Sequence, residues 1–132
     1  MPVLWTFRCY VSANGTDEIR AWYEQASKQT QARFLSRIKI LAQLPLAEWN
    51  ENFYKNLRGP CNGLSEIRFK SDNVQQRPLG FHSGDNEFTI LFCATERGNK
   101  FVPLSACEKA LARKAEVLND GSRTNAIWLA LE

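Results

Sequence analysis

Three short apolar segments, each closed by turn residues, constrain this chain more than any other feature. They run from Leu64 to Phe69, from Val74 to Phe81 and from Glu87 to Thr95. Ser71-Asp72-Asn73 and Ser83-Gly84-Asp85-Asn86 separate them. Strands joined by connections this short must pair antiparallel, because a parallel pair needs a crossover of a dozen or more residues. The spacing therefore predicts a three-stranded antiparallel meander. Its last strand carries Phe88, Ile90, Leu91 and Phe92 nearly without a break, the pattern of a central strand buried on both faces. Pro78 weakens the middle strand and fits an edge or a bulge.

The other segments arrange themselves around that meander. Val3, Trp5, Phe7, Cys9 and Val11 alternate with the residues between them, so the chain opens with a strand. From Asp17 to Leu44 the period becomes helical: Ile19, Trp22, Tyr23 and Ala26 share one face, and Phe34, Ile38, Leu41 and Leu44 another. Asn14 or Thr16 can cap the first turn. Ser27-Lys28-Gln29-Thr30 either divides this stretch into two helices or does not; periodicity leaves the choice open. Arg33, Arg37 and Lys39 fall on the solvent side, where they could touch RNA or an acidic partner, although a solvated helix face is the plainer reading. Trp49, Phe53 and Leu57 recur every four residues, which predicts a shorter helix up to Arg58. Glu96 to Lys100 reads as a polar loop. Ser105 and Glu108 form a capping box opening a helix with Leu104, Cys107, Leu111 and Leu118 as its apolar stripe. The apolar tail from Ala126 to Leu131 packs on the domain, adds a strand or serves a partner chain. The class is α+β, with the helices grouped on one side of the sheet.

At 132 residues the chain is long enough to bury a real core, and no apolar run reaches the length of a membrane span. The N-terminus lacks a basic leader and alternates as a strand, which points to the cytoplasm. Cys9, Cys61, Cys93 and Cys107 show no metal-ligand spacing, and one histidine cannot complete a usual zinc quartet. They read as four free thiols, with no structural metal and no cofactor. The net charge of +3 is mild, but Lys55, Arg58, Arg68, Lys70 and Arg77 outnumber Glu66 and Asp72 in the stretch they span. A local basic face in a nearly neutral protein suits a phosphate-bearing partner; a solvated surface is the plainer explanation.

Arg68 and Arg77 sit on strands expected to be neighbours, so both can reach one phosphate through bidentate forks. The alternative is a cross-strand salt bridge to Glu66. Lys70 shares the Arg68 face by the period of two and can serve as a base or an RNA contact. His82 has the intrinsic pKa for acid–base work, although a lone histidine near a turn is more often a surface residue. Lys55, Arg58, Arg97 and Lys100 are candidate contacts to an RNA backbone. Tyr10, Tyr23 and Tyr54 could stack on bases, but packing is their commoner use.

Leu57-Arg58-Gly59, then Gly63-Leu64-Ser65-Glu66-Ile67-Arg68, then Arg77 on the next strand, resembles the RelE/ParE toxin superfamily. Within it, the phage-derived HigB-like branch is the nearest likeness. The apolar strand Phe88–Phe92, Pro103 and a helix with Ala110-Leu111-Ala112-Arg113 continue it. The resemblance implies an N-terminal strand, two helices, a meander and a C-terminal helix over residues 1–118, with 119–132 as an extension. It implies a toxin neutralised by a helix-turn-helix antitoxin of the HigA kind, cutting messenger RNA on the ribosome without metal. The alternative is a non-nuclease binding module, either a gyrase inhibitor of the ParE kind or an inactive phage-derived relic. Relatives place a pair of lysines before the proline; here only Arg97 and Lys100 are basic in that loop.

Overall fold

The computed structural model describes residues 2–132. The α+β class holds. The elements are β1 (Thr6–Tyr10), α1 (Glu18–Gln25), α2 (Lys28–Ala42), β2 (Tyr54–Asn56), β3 (Ser65–Ile67), β4 (Phe69–Ser71), β5 (Val74–Gly84), β6 (Glu87–Arg97), β7 (Lys100–Val102), α3 (Ala106–Asn119) and β8 (Thr124–Ala126). The strands make one mixed sheet in the order β2-β3-β5-β6-β1-β8, with β4 also on β5 and β7 on β6. The meander is its centre, and β5 and β6 are its two long strands. Asp72 and Asn73 both adopt positive φ, the two-residue hairpin geometry that Asp and Asn tolerate.

β1 runs parallel to β6, with Phe7 opposite Phe88, and the α1–α2 segment lies in the connection between them. The two helices are separate. Ser27 caps α2 by accepting from the Thr30 N–H at 3.1 Å. Asp17, rather than Asn14 or Thr16, caps α1 through the Arg20 N–H at 2.9 Å. Asn14 is occupied with the Thr16 N–H in the preceding turn.

The helices do not all lie on one side. Phe7, Ile67, Phe88 and Ile90 pack with Ile19, Phe34, Ile38 and Leu41 from α1 and α2. Leu79, Phe81 and Leu91 pack with Ala106, Ala110 and Val117 of α3. Successive side chains of a strand point to opposite faces, so the doubly apolar β6 supplies both cores. The buried side of α3 is built from small residues, while Leu104 and Leu118 are exposed. Ser105 precedes α3, but its side chain makes no capping bond.

Several segments depart from the periodicity reading. Residues 49–58 form no α-helix; a turn leads into the edge strand β2. Trp49 is pinned by its indole N–H, which lies 3.0 Å from the Leu41 carbonyl, so its spacing to Phe53 reflects two separate anchors. The loop at Glu96–Lys100 is a hairpin, turned at Gly98 and Asn99 with positive φ at both. Pro78 lies on an interior strand, beside a bulge at Leu79/Gly80. The tail adds β8 to β1, donates from the Ile127 N–H to the Phe7 carbonyl and buries Leu131. The four cysteines are not all free: Cys61 and Cys107 form a disulfide, with Cα atoms 5.2 Å apart. That removes the thiol count as an argument for a reducing compartment. Cys9 and Cys93 remain free, and burial raises the pKa of both thiols. No described helix is long and apolar enough to cross a membrane.

Candidate phosphate-binding pocket

β3 and β4 lie on one line beside β5. Glu66 is opposite Leu79 and Phe69 is opposite Gln76, registers that are in phase, so Arg68 falls opposite Arg77. Period two sets Glu66, Arg68 and Lys70 on one face. Two cations directly opposed across strands repel, so this placement needs a counter-charge. Glu66 supplies it from a buried position, 2.6 Å from the Arg68 Nε and 3.5 Å from the Arg77 Nε. Glu96 on β6 accepts from the Arg77 Nε at 2.9 Å.

Local carbonyls hold one further nitrogen of each guanidinium. Arg77 Nη1 donates to the Gln76 carbonyl at 2.9 Å, and Arg68 Nη1 to the Glu51 carbonyl at 2.9 Å. The Arg68 backbone N–H donates to the Phe53 carbonyl at 2.8 Å, which ties the chain ahead of β2 to the arginine. Both forks are thus held in fixed orientations before any ligand arrives.

Arg37 of α2 joins them instead of facing solvent. Its Nη1 donates to the carbonyls of Asn52 and Arg68, and its guanidinium lies 4.3 Å from the centre of the Phe53 ring. Its Nε is buried and makes no hydrogen bond. Burial lowers the pKa of this arginine, but an arginine remains charged at neutral pH. Arg33 on the same helix donates to the Lys70 carbonyl at 3.0 Å, anchoring β4.

The result is a cavity of about 390 Å³ lined by Arg37, Arg68, Lys70 and Arg77, with Glu51 and Gln75 at its wall. Four cationic residues line one opening, which suits a phosphodiester. Lys55 lies opposite Glu66 in the β2–β3 pair and lines the adjoining cavity, which shares Arg68. Arg58 is exposed in the link between β2 and β3. Arg97 and Lys100 face each other across the β6–β7 hairpin, exposed and outside the lining of the arginine cavity.

His82 is not brought to the arginine pair. It stands five residues beyond Arg77, roughly 17 Å along a strand, and that odd spacing turns it to the other face. Its Nε2 is 2.7 Å from the Tyr54 hydroxyl, and its ring packs among Trp5, Trp49 and Phe88. Burial lowers its pKa. Tyr10 and Tyr54 are core residues, and Tyr23 packs against Phe34 and Trp128.

Glu51 and Asn52 are pocket residues that sequence reasoning missed, and Arg37, read as a solvent-side cation able to touch RNA, was not placed beside Arg68. All three come from outside the meander, and no local spacing links them to Arg68. Gln75 had a signal, two residues from Arg77 on a strand. Comparison with models of known protein families, with curated protein sequences and with solved structures finds no match.

Proposed function

We propose that this chain is the toxin of a type II toxin–antitoxin pair, of the RelE/ParE kind and its HigB-like branch, acting in the cytoplasm on messenger RNA engaged by the ribosome. The opposition of Arg68 and Arg77 over Glu66 carries the reading. The succession of N-terminal strand, two helices, meander and C-terminal helix supports it.

Cleavage follows from groups at this opening. The attacking 2′-oxygen forms a bond to phosphorus while the bond to the 5′-oxygen breaks, leaving a cyclic phosphate and a free 5′-hydroxyl. Charge builds on the phosphoryl oxygens, and preoriented guanidinium forks stabilise it most where water is excluded. Glu51 lines the pocket and makes no ion pair among the described residues, and it is the carboxylate to which this reading gives the 2′-OH proton. Lys70 is the ammonium placed to return a proton to the leaving oxygen. His82 has no part in this scheme.

The commitment of the arginine donors to Glu66, Glu96 and carbonyls favours a second reading, a binding module that holds a phosphate without cutting it. Expression of the chain alone, with messenger RNA ends mapped within minutes, separates the two. New 5′ ends inside translated codons, lost when translation is blocked, support the nuclease. Arg68→Ala is then expected to slow cleavage by on the order of 10²–10³-fold. Growth arrest without new ends moves the target to gyrase or another protein. An affinity pull-down that returns a small helix-turn-helix protein supports the antitoxin.

A further inference from the structure

Three concavities lie in series along the β2–β3 edge. The arginine pocket shares Arg68 with the cavity beside Lys55, and that cavity shares Leu57 with a third of about 350 Å³. The third has a different character. Phe81 and His82 both contribute to its lining, and Lys114 is its single cation. Its other polar groups are neutral: Asn56, Asn62 and Ser65.

The hydrogen bonding within the chain decides which atoms are left for a ligand. Asn56 Oδ1 accepts from the Tyr54 hydroxyl at 2.7 Å and from the Ser65 hydroxyl at 2.7 Å. Tyr54 and Ser65 are buried, so this pair of bonds fixes the carboxamide. The Asn56 Nδ2 donates to no group among the described residues. Lys114 spends one N–H on the Gly63 carbonyl at 2.7 Å, with its ammonium 5.1 Å from the centre of the Phe81 ring, and keeps two more. The available atoms on Asn56 and Lys114 are therefore donors beside an aromatic wall.

Such a cavity complements a planar ring whose edge presents acceptors. Ser65 and Arg68 are three residues apart on one line of chain, roughly 10 Å, and this odd spacing sets them on opposite faces, so a strand joining the two sites turns over the β2–β3 edge. That distance is about three nucleotides at the ~3.4 Å rise of a stacked strand. We infer that the third cavity is a nucleobase-reading subsite for single-stranded RNA laid along the β2–β3 edge. It selects bases with acceptor edges, uracil or guanine, over adenine, whose amino group would meet the donors. The inference rests on the RNA-directed reading of the arginine pocket.

Fluorescence anisotropy with labelled hexauridylate and hexaadenylate, titrated on the full chain at several salt concentrations, tests it. The wild type is expected to bind hexauridylate about tenfold more tightly, within the ~1–3 kcal/mol of discrimination that a well-formed base contact gives. Asn56→Asp keeps the acceptor for Tyr54 and Ser65 and removes the free N–H donors. It should erase the ratio between the two oligonucleotides, whereas simple charge repulsion would weaken both alike. Lys114→Gln is the second variant, with folding of each checked by circular dichroism, and it should also reduce the ratio. Arg68→Ala should weaken both oligonucleotides and flatten the log–log salt slope by about 0.7 per lost phosphate contact. Equal binding of the two by the wild type, or a ratio unchanged in folded Asn56→Asp or Lys114→Gln, overturns the subsite. If Arg68→Ala still flattens the slope in that case, the RNA reading survives. Binding of neither oligonucleotide by the wild type overturns both.

Discussion

Reduction of the Cys61–Cys107 disulfide removes a cross-link that closes a loop 46 residues apart in sequence. In the chain-entropy treatment, that loop restricts the unfolded state by about 13–14 cal/mol/K, or about 4 kcal/mol at 25 °C. The folded state loses little in exchange. Lys114 still reaches the Gly63 carbonyl, and the Leu57 N–H still donates to the Leu64 carbonyl. Four kcal/mol is a large share of the ~5–15 kcal/mol by which domains are stable. With a urea dependence of about 2 kcal/mol per molar, the midpoint should fall by about 2 M. The assay is urea unfolding of one preparation with and without excess dithiol, followed by the fluorescence of Trp5, Trp22, Trp49 and Trp128. Thiol titration of the unfolded, unreduced chain should find only Cys9 and Cys93 reactive, and all four cysteines after reduction. Coincident midpoints in samples whose thiol counts differ would refute the entropic reasoning. Four reactive thiols in chain purified under oxidising conditions would refute the disulfide itself.

Glu66→Gln keeps the shape of the side chain but leaves Arg68 without a carboxylate and Arg77 with Glu96 alone, and should cost about 3 kcal/mol by urea unfolding. Trp128→Ala removes a ring packed 5.2 Å from Tyr23 and stacked over Phe34, and a loss of about 3 kcal/mol would make the tail a structural part of the core. His82 gives a pH signature. Burial holds its folded pKa below the unfolded value of about 6.5, so the unfolded chain binds the proton more readily. Its contribution is present above the unfolded pKa and is lost as pH falls below about 6.5 towards the folded pKa. His82→Gln should therefore flatten the decline in unfolding free energy between pH 7 and 5 relative to wild type, and parallel curves would contradict the buried assignment.

What the sequence made legible was local. The period of two located the strands of the meander, and their short turns made Arg68 and Arg77 neighbours across strands with Glu66 as a possible partner; the register that sets the two arginines opposite each other came from the structure. What it hid depended on distant partners. Leucines marked a helical stripe on α3, yet alanines at 106 and 110 make the close approach to the sheet, because a second core already fills that face with Leu79, Phe81 and Leu91. The Cys61–Cys107 link joins residues with no telling spacing. Arg37 sits three residues from Phe34 on the flank of the apolar stripe, where a side chain can face solvent or reach back to Asn52 and Arg68. His82 was a different case. Its chemistry drew attention, but its odd spacing from Arg77 already placed it on the other face of a period-two strand.

The electrostatics of the pocket divide its work between two kinds of cation. Two like charges ~5 Å apart repel by about 3 kcal/mol at an effective dielectric near 20. Glu66 and Glu96 offset this for Arg68 and Arg77, and the four groups together carry no net charge. The opposed arginines therefore contribute direction: forks already aimed, whose reorganisation cost is met by folding. The net positive charge that draws a phosphate comes instead from Arg37 and Lys70, which make no ion pair among the described residues and together outweigh the one carboxylate of Glu51. Arg37 holds its place through carbonyls and the Phe53 face, so it keeps its full charge without a carboxylate partner. Attraction and orientation thus rest on separate residues. An anion can be drawn in by Arg37 and Lys70 even where the arginine pair is too strongly neutralised to bind it alone.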